Sequence, residues 1–150
     1  MGKDVCFSRA ERADLDAVCG IEKRSFGAEG FSRRQLLYLM TRASGFFYVA
    51  RHNGTVVAYL SLLLTERARH LRIYSIAVGP EARGAGIGAG LMELARQCAL
   101  ERGVASISLE VKSTNREAIR LYERAGFVKK KLLPAYYPDQ TDAYRMHCPL

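Results

Sequence analysis

The sequence predicts an α/β (α+β) fold in which a single mixed, mostly antiparallel sheet carries helices on both faces. The chain has 150 residues, 49% of them hydrophobic, a size at which one compact domain closes around one core. Its periodic segments follow the order strand, two helices, three strands, helix, strand, helix and two strands. No repeat or low-complexity segment interrupts this order. We therefore expect residues 1–150 to form one domain.

The first half of the sequence predicts a strand, two helices and a hairpin. The predicted elements are a strand at 5–8, helices at 14–25 and from residue 32, and strands at 46–51 and 55–64. Ser32, with Gln35 three residues later, forms the capping-box pattern that starts the second helix. Asn53 and Gly54 tolerate positive φ and are the strongest short signal for a hairpin. The strands on either side of them should therefore be antiparallel.

The second half predicts strands that alternate with helices. The predicted strands are 71–78, 106–111, 127–132 and 143–147. A glycine-dense loop after residue 80 opens the first helix, which is ended by Gly103 and carries on one face Ile87, Leu91, Leu94, Ala95 and Cys98. The second helix begins at a capping box of Thr114 and Glu117, runs to Ala125 and is closed by Gly126. Because the strands near 75 and 108 are joined through a helix, they should run parallel.

Composition limits the classes of partner. Subtracting 15 acidic from 23 basic side chains leaves a net charge of +8, so a tightly bound partner should be negative: nucleic acid, an anionic surface or a phosphate-rich cofactor. The run Lys129–Lys131 has a simpler explanation as a solvated edge of the sheet. The sequence also lacks an RNA-binding motif, so nucleic acid is not the expected partner.

Neither a membrane segment nor a metal site is expected. The N-terminal residues have no apolar core, and the longest apolar stretch, 56–64, falls short of the roughly twenty residues of a membrane helix. We therefore expect a cytoplasmic protein. The histidines are too far apart for local ligand spacing, and no C-x-x-C pair occurs. The four cysteines should be reduced thiols; Cys98 as a nucleophile is the alternative, although nothing places a histidine beside it.

A glycine-rich loop, Arg83–Gly88, lies between a predicted strand and a predicted helix. Its main-chain N–H groups, unobstructed by side chains, can face an anion at the positive end of the helix, which predicts a phosphate site. One candidate ligand is a dinucleotide, because Gly84, Gly86 and Ala89 spell G-x-G-x-x-A and Glu110 ends the next strand near the expected position of a ribose-binding acid.

The surroundings of this loop favour a different ligand. Residues 1–70 precede the strand, and residues 112–150 are too few for the further strands of a doubly wound nucleotide domain. Arg83 is followed by two spacer residues, then Gly86, one more spacer and Gly88. This spacing suits the pyrophosphate of coenzyme A instead. A purely structural glycine turn is the remaining alternative.

Further motifs occur from Ile73 to the end of the chain. They are Ser75–Pro80, the Arg83–Gly88 loop, Leu109–Val111, Asn115, Leu121–Tyr122 and Ala125–Phe127. Through them the chain resembles the GNAT superfamily of acetyl-coenzyme A dependent N-acetyltransferases. Within it, the chain is similar to the RimI-type enzymes that acetylate the N-terminal alanine of a ribosomal protein, since Glu110, Asn115 and Tyr122 keep that spacing. The resemblance implies the GNAT fold, with the parallel strands splayed to admit acetyl-coenzyme A.

The resemblance also implies roles for individual residues. The residues expected to bind acetyl-coenzyme A are Ile76, Ala77, Val78, Arg83, Gly84, Ala85, Gly86, Ile87, Gly88, Ala89, Asn115 and Tyr122. Glu110 is expected to be the general base, and Tyr122 the acid that protonates the leaving thiolate. Each has a simpler alternative. Glu110 can be a solvated strand-end charge, Tyr122 a packed core residue, and Asn115 a helix cap, a role that Thr114 can also fill.

The acceptor is the least determined part of the expected site. Candidate substrate-binding residues are Glu22, Phe26, Phe31, Tyr136 and Tyr137. Their alternatives are a helix-surface charge and ordinary surface aromatics, and the loop 27–30 lacks the proline expected of the subfamily. The expected reaction is direct acetyl transfer to the α-amine of a protein N-terminus. A small-amine acetyltransferase, or a coenzyme A sensing or RNA-associated module without turnover, are the alternatives.

Overall fold

The computed structural model describes residues 4–42, 45–65, 67 and 69–150. The elements are β1 Val5–Arg9, α1 Leu15–Phe26, α2 Arg33–Thr41, β2 Gly45–His52, β3 Thr55–Thr65, β4 His70–Val78, α3 Ile87–Arg102, β5 Ser106–Lys112, α4 Arg116–Arg124, β6 Val128–Leu133 and β7 Ala143–Pro149. Single turns of 3-10 helix occur at Arg12–Asp14, Gly27–Glu29 and Pro80–Ala82. Their order is the predicted one.

The seven strands follow the hydrogen-bonded order β1, β2, β3, β4, β5, β7, β6. The β1/β2, β2/β3, β5/β7 and β6/β7 pairs are antiparallel, and the β4/β5 pair is parallel. The parallel register runs from His70 opposite Ser106 to Arg72 opposite Ser108 and ends there. The predicted fold class, a mixed and mostly antiparallel sheet with one parallel pair, is confirmed.

The chain divides into two compact units. The first contains Met1–Leu63 and Ser75–Leu91, and the second contains Leu64–Tyr74 and Met92–Leu150. Strand β4 contributes residues to both. Each unit is described by itself below.

The predicted hairpin turn and helix cap of the first unit are both present in the structure. Asn53 and Gly54 adopt φ of 52° and 82° in the β2/β3 hairpin. The Ser32 hydroxyl accepts a hydrogen bond from the Gln35 N–H at 3.2 Å, and the Gln35 side chain accepts one from the Ser32 N–H at 2.8 Å. Both signals satisfy backbone groups locally. Side chains that are completely buried in this unit include Val18, Ile21, Leu36, Val49 and Leu60.

The second unit has a buried apolar interior on β4, β5 and β7. Leu71, Ile107, Leu109 and Met146 are at most 2% exposed and supply the apolar interior that stabilises the sheet. Gly103 and Gly126 have φ of 68° and 100°, which confirms both predicted helix ends.

The predicted capping box at Thr114 and Glu117 is wrong. The cap of α4 is Asn115, whose side-chain oxygen accepts a hydrogen bond from the Ala118 N–H at 3.2 Å. The helix begins one residue later than the pattern indicated. The turn before it carries a tertiary bond from the Ser113 N–H to the Asp142 carbonyl oxygen at 2.9 Å. Asn115 is therefore a helix cap, whatever else it contacts.

The remaining expectations concern the cysteines, the lysine run on the sheet edge, metal sites and membrane helices. All four cysteines are free, with Cys98 and Cys148 buried. The run Lys129–Lys131 lies on β6, which ends the strand order and is exposed along most of its length. Within the described ranges, no group of three potential metal ligands occurs, and none of the helices there has the length and apolarity needed to span a membrane.

An ion pair in the first unit gives a prediction about stability. The Asp14 carboxylate is buried and accepts hydrogen bonds from the Arg51 guanidinium at 2.7 Å and from the Glu11 N–H at 2.8 Å. Burial acts to raise the pKa of Asp14, but the bonds from Arg51 and Glu11 outweigh it and hold the pKa below its usual value. We expect Asp14→Asn to lower the free energy of unfolding by about 1.5–3 kcal/mol at pH 7.

The pH dependence of this loss has a defined sign. Because the folded-state pKa is depressed, the stabilisation is complete above the unfolded pKa of about 3.9 and is lost as the pH falls through the folded value. Denaturant unfolding of wild type and Asp14→Asn should therefore converge as the pH is lowered below about 4. Asp16→Asn is the matched control, since Asp16 pairs with Arg33 on the surface and should change stability by less than about 0.5 kcal/mol.

Candidate active site

The glycine loop lies in the first unit, between β4 and α3. Gly84 and Gly86 have φ of 84° and 79°, a left-handed conformation that glycine adopts without strain. The first bond of α3 runs from the Gly90 N–H to the Gly86 carbonyl oxygen at 3.0 Å. Among the residues described, the N–H groups of Gly84, Ala85 and Gly86 form no backbone hydrogen bond, and the first N–H groups of any helix lack partners within it. The loop therefore offers adjacent main-chain donors to an anion.

Arg83 and the end of β4 flank this loop. The Arg83 Nε donates to the Val78 carbonyl oxygen at 3.3 Å, which anchors an otherwise exposed guanidinium at the end of the strand. Ala77 is 6% exposed, whereas Ile76 and Val78 are partly exposed. The side chain of Ala77 therefore belongs to the core, and any ligand contact of this residue would use its backbone.

Glu110 lies on β5 in the second unit, held between two arginines. Its Oε1 accepts hydrogen bonds from the Arg72 Nε at 3.0 Å and the Arg72 Nη2 at 2.7 Å. Its Oε2 accepts one from the Arg145 Nε at 2.8 Å, because Arg145 lies directly opposite Glu110 in the β5/β7 register. The Glu110 side chain is 8% exposed. It is thus a buried, oriented carboxylate and not a solvated strand-end charge.

The hydrogen bonds from described residues leave Glu110 one acceptor position. An ionised carboxylate offers about four lone-pair sites, of which Arg72 occupies two on Oε1 and Arg145 occupies one on Oε2. The remaining site is on Oε2. A carboxylate held in this way can accept one further hydrogen bond, in a fixed direction.

Tyr122 lies on α4 in the same unit and is 7% exposed. Its ring packs against Phe127 with centroids 6.3 Å apart. Burial raises the pKa of Tyr122, and nearby Tyr137 adds to the increase. No other described residue hydrogen-bonds to its hydroxyl, which is also not among the fully buried unpartnered polar atoms. The hydroxyl therefore stays protonated and is available as a donor.

Asn115 and the tyrosine pair complete the predicted residues of the second unit. The capping bond of Asn115 uses its side-chain oxygen and leaves the amide NH₂ for another contact. The rings of Tyr136 and Tyr137 meet edge to face at 5.1 Å. Burial, followed by the influence of Tyr136 and Glu110, raises the pKa of Tyr137 to about 12. Tyr137 is therefore neutral and lies in the electrostatic neighbourhood of Glu110.

The remaining predicted acceptor residues lie in the first unit. Phe26 is 41% exposed at the end of α1, and Phe31 follows the 3-10 turn Gly27–Glu29. Glu22 is only 2% exposed and accepts hydrogen bonds from the Phe31 N–H at 2.8 Å and from the Tyr59 hydroxyl. Burial raises the pKa of Glu22, and the bonds from Tyr59 and Phe31 only partly offset it. The alternative of a helix-surface charge does not describe this residue.

Comparison with known proteins identifies the family. A sequence model described as "Acetyltransferase (GNAT) family" matches residues 15–127, which is more than half of the chain. The chain belongs to the GNAT acetyltransferase family. It is therefore an N-acetyltransferase of a family that uses acetyl-coenzyme A as the acetyl donor.

Relatives of this GNAT protein are similar along most of its length. An uncharacterized N-acetyltransferase of Methanocaldococcus jannaschii is 37% identical over 134 residues, covering 89% of this chain and 84% of its own. An N-alpha-acetyltransferase of Saccharolobus solfataricus is 30% identical and covers 99% of this chain and 95% of its own. The crystal structure of the ribosomal-protein-S18-alanine N-acetyltransferase from Escherichia coli superimposes with a TM-score of 0.87 at 30% identity, covering 97% of this chain and 93% of that one.

Sequence reasoning missed the two arginines that bond to Glu110, Arg72 and Arg145. They lie 38 and 35 residues from Glu110 in the chain, and neither is part of a local motif. The pairing of Glu110 with Arg145 follows only from the β5/β7 register. One signal was present in the sequence: Glu110 is an acidic residue on the polar face of β5. If its side chain is buried, it needs a basic or hydrogen-bonding partner.

The glycine loop gives a prediction about donor binding by this GNAT protein. Gly86→Ala forces an alanine into a left-handed conformation, at a cost of about 1–2 kcal/mol, and should displace the loop N–H groups. We expect the KM for acetyl-coenzyme A to rise about tenfold with kcat changed little. Initial rates at varied acetyl-coenzyme A measure both constants. Gly54→Ala is the matched control, because Gly54 has a φ of 82° in the hairpin; an equal rise of KM in both variants would contradict the assignment.

Proposed function

We propose that the protein transfers the acetyl group of acetyl-coenzyme A to the α-amine of a protein N-terminus, most simply an alanine of a ribosomal protein, by direct attack of the amine. The observation that carries the proposal is the single remaining acceptor position on Glu110, an oriented carboxylate on β5. The near full-length similarity to an N-alpha-acetyltransferase and to an alanine N-acetyltransferase supports this acceptor class. A ribosomal-protein acceptor would place the activity in the cytoplasm.

The chemistry of amines favours an α-amine as the acceptor. The reaction needs a neutral amine, and an α-amine with a pKa of about 7.7–8.0 is neutral in roughly a tenth or more of molecules at pH 7. A lysine side chain with a pKa of about 10.4 is neutral in roughly one molecule in 2,500. The difference is about 3–4 kcal/mol in deprotonation cost. A single weak base therefore suffices for an α-amine.

Glu110 and Tyr122 supply the proton transfers in this proposal. The amine nitrogen forms a bond to the thioester carbonyl carbon while Glu110, through its free Oε2 position or a bridging water, accepts the proton that the nitrogen loses. The carbon–sulfur bond then breaks, and the Tyr122 hydroxyl donates its proton to the departing thiolate. The products are an amide and free coenzyme A, and transfer of a proton from Glu110 to Tyr122 through solvent restores both groups. Neither Cys98 nor Cys148 is needed, and both are buried.

Other residues bind and orient acetyl-coenzyme A in this proposal. The main-chain N–H groups of residues 84–89 and Arg83 hold the pyrophosphate. The backbone of Ile76–Val78 pairs with the amide-rich arm as an added strand would, and the free amide group of Asn115 contacts the same arm. Phe26, Phe31, Tyr136 and Tyr137 contact the first residues of the acceptor.

Release of free coenzyme A tests the proposal across acceptor classes. Acetyl-coenzyme A is incubated with an alanine-starting peptide that contains one internal lysine, with the amino-acetylated form of that peptide, and with a panel of polyamines, amino acids and other small amines. We expect thiol release with the free peptide and none with its acetylated form. Release only with small amines would reject the peptide acceptor. Failure to release thiol with any of these acceptors would favour a coenzyme A binding module without turnover.

A further inference from the structure

Four groups of the first unit form one chain of hydrogen bonds. The Phe31 N–H donates to Glu22 Oε2 at 2.8 Å, and the Tyr59 hydroxyl donates to Glu22 Oε1. The same hydroxyl lies 2.6 Å from the Ser75 Oγ. Tyr59 is completely buried on β3, and Ser75 lies on β4 immediately before Ile76. The chain thus links the loop after α1 to β4 through a single buried carboxylate.

Gly30 brings the backbone of this loop against the carboxylate. A Cβ at position 30 would lie 3.0 Å from the Glu22 Cγ and 3.2 Å from its Oε2. Gly30 has φ of −74° and ψ of 168°, an extended conformation open to any residue. A Cβ at this position would therefore press on the Glu22 side chain, which would have to shift by a few tenths of an ångström; backbone freedom is not what favours glycine here.

These contacts leave Glu22 poorly placed to bind an incoming amine itself. Both of its oxygens already accept a hydrogen bond, and the residue is 2% exposed. Burying a carboxylate is unfavourable unless it is hydrogen-bonded, and burial raises the pKa of Glu22 despite the two bonds. A buried group of this kind, bonded to a loop and to a strand, is suited to fixing their relative positions.

We propose that Glu22 is a positioning residue, which sets the acceptor-side loop 27–31 relative to β4 through Phe31, Gly30 and the Tyr59–Ser75 pair. This inference rests on the proposed function, in which Phe26 and Phe31 contact the acceptor and the backbone from Ile76 contacts the donor. A loop displaced from Glu22 should weaken binding of the acceptor and leave binding of acetyl-coenzyme A unchanged.

Steady-state kinetics of three variants test this role with the alanine-starting peptide. Glu22→Ala removes the acceptor of both bonds, and Gly30→Ala pushes the loop away while Glu22 stays intact. Both should raise the KM for peptide about tenfold or more, with the KM for acetyl-coenzyme A within about twofold of wild type. Glu22→Gln keeps an oxygen for the Phe31 N–H and an amide for Tyr59, so it should restore most of the peptide affinity.

The controls separate this inference from the proposed function. Lys23→Gln changes a neighbouring exposed charge on α1 and should leave both KM values unchanged. Because Glu22→Ala removes the acceptor of the Phe31 and Tyr59 bonds, it can lower stability, so circular dichroism of each variant is recorded. If Glu22→Ala is unfolded, Gly30→Ala provides the test. A wild-type enzyme that does not acetylate the peptide contradicts the proposed function. An active wild type whose folded Gly30→Ala variant shows no selective rise of the peptide KM contradicts the positioning role.

Discussion

Glu110→Gln is expected to lower kcat by about 10²- to 10⁴-fold, the usual contribution of a general base. Glutamine keeps the shape of the side chain but replaces the carboxylate that Arg72 and Arg145 hold. The variant side chain then has no carboxylate that could accept the proton of the amine. Steady-state assays of thiol release at saturating peptide and acetyl-coenzyme A measure the decrease in kcat.

The same substitution also removes the counter-charge of two arginines, so its effect on folding is measured in parallel. The side chains of Arg72 and Arg145 are 33% and 43% exposed, so losing their counter-charge should cost only modest stability, which denaturant unfolding of Glu110→Gln measures. Glu117→Gln is a control for charge, since Glu117 is exposed on the first turn of α4. Unchanged turnover by a folded Glu110→Gln protein at saturating substrates would show that Glu110 is not the base.

Tyr122→Phe is expected to lower kcat by about 10²-fold or more, with little change in the KM for acetyl-coenzyme A. Phenylalanine preserves the packing against Phe127, and the lost hydroxyl has no hydrogen-bond partner among the described residues. The variant should therefore fold with nearly unchanged stability. Thiol release at varied acetyl-coenzyme A separates the two constants.

Two comparisons make the Tyr122→Phe result specific to proton donation. An acetyl donor with a more acidic leaving thiol needs less help from an acid, so it should narrow the difference between wild type and variant. Tyr144→Phe is the matched control, because Tyr144 lies on β7 against Lys129 and has no proposed part in the reaction. If kcat and affinity for acetyl-coenzyme A fell together in Tyr122→Phe, packing would explain its role instead.

Features of the fold that depend on neighbouring residues could be predicted from the sequence. The hairpin at Asn53 and Gly54 and the capping box at Ser32 satisfy backbone groups within a few residues. The start of α4 could not be predicted, since Thr114 and Asn115 are both good caps. Asn115 is the cap in the structure, and the preceding turn is held by a long-range bond from the Ser113 N–H to the Asp142 carbonyl oxygen, which a local pattern does not contain.

The candidate site likewise has features that depend on neighbouring residues and features that depend on residues far apart in the chain. The glycine loop is a local pattern, and the positive φ of Gly84 and Gly86 agrees with it. The environment of Glu110 is not local, because its partners come from β4 and β7, and strand register decides which residues face one another. Burial of Glu22 was likewise hidden, since its partner Tyr59 lies 37 residues away. A charged residue on a helix is usually exposed.

The location of the transferred acetyl group tests the central claim most directly. After incubation with acetyl-coenzyme A, the alanine-starting peptide with one internal lysine is fragmented in a mass spectrometer, with the Glu110→Gln enzyme as the parallel sample. We predict that wild type adds one acetyl group, found on the N-terminal nitrogen, and that Glu110→Gln adds it far more slowly at the same position. An acetyl group found only on the lysine, or no modification of the peptide by wild type, would contradict the account.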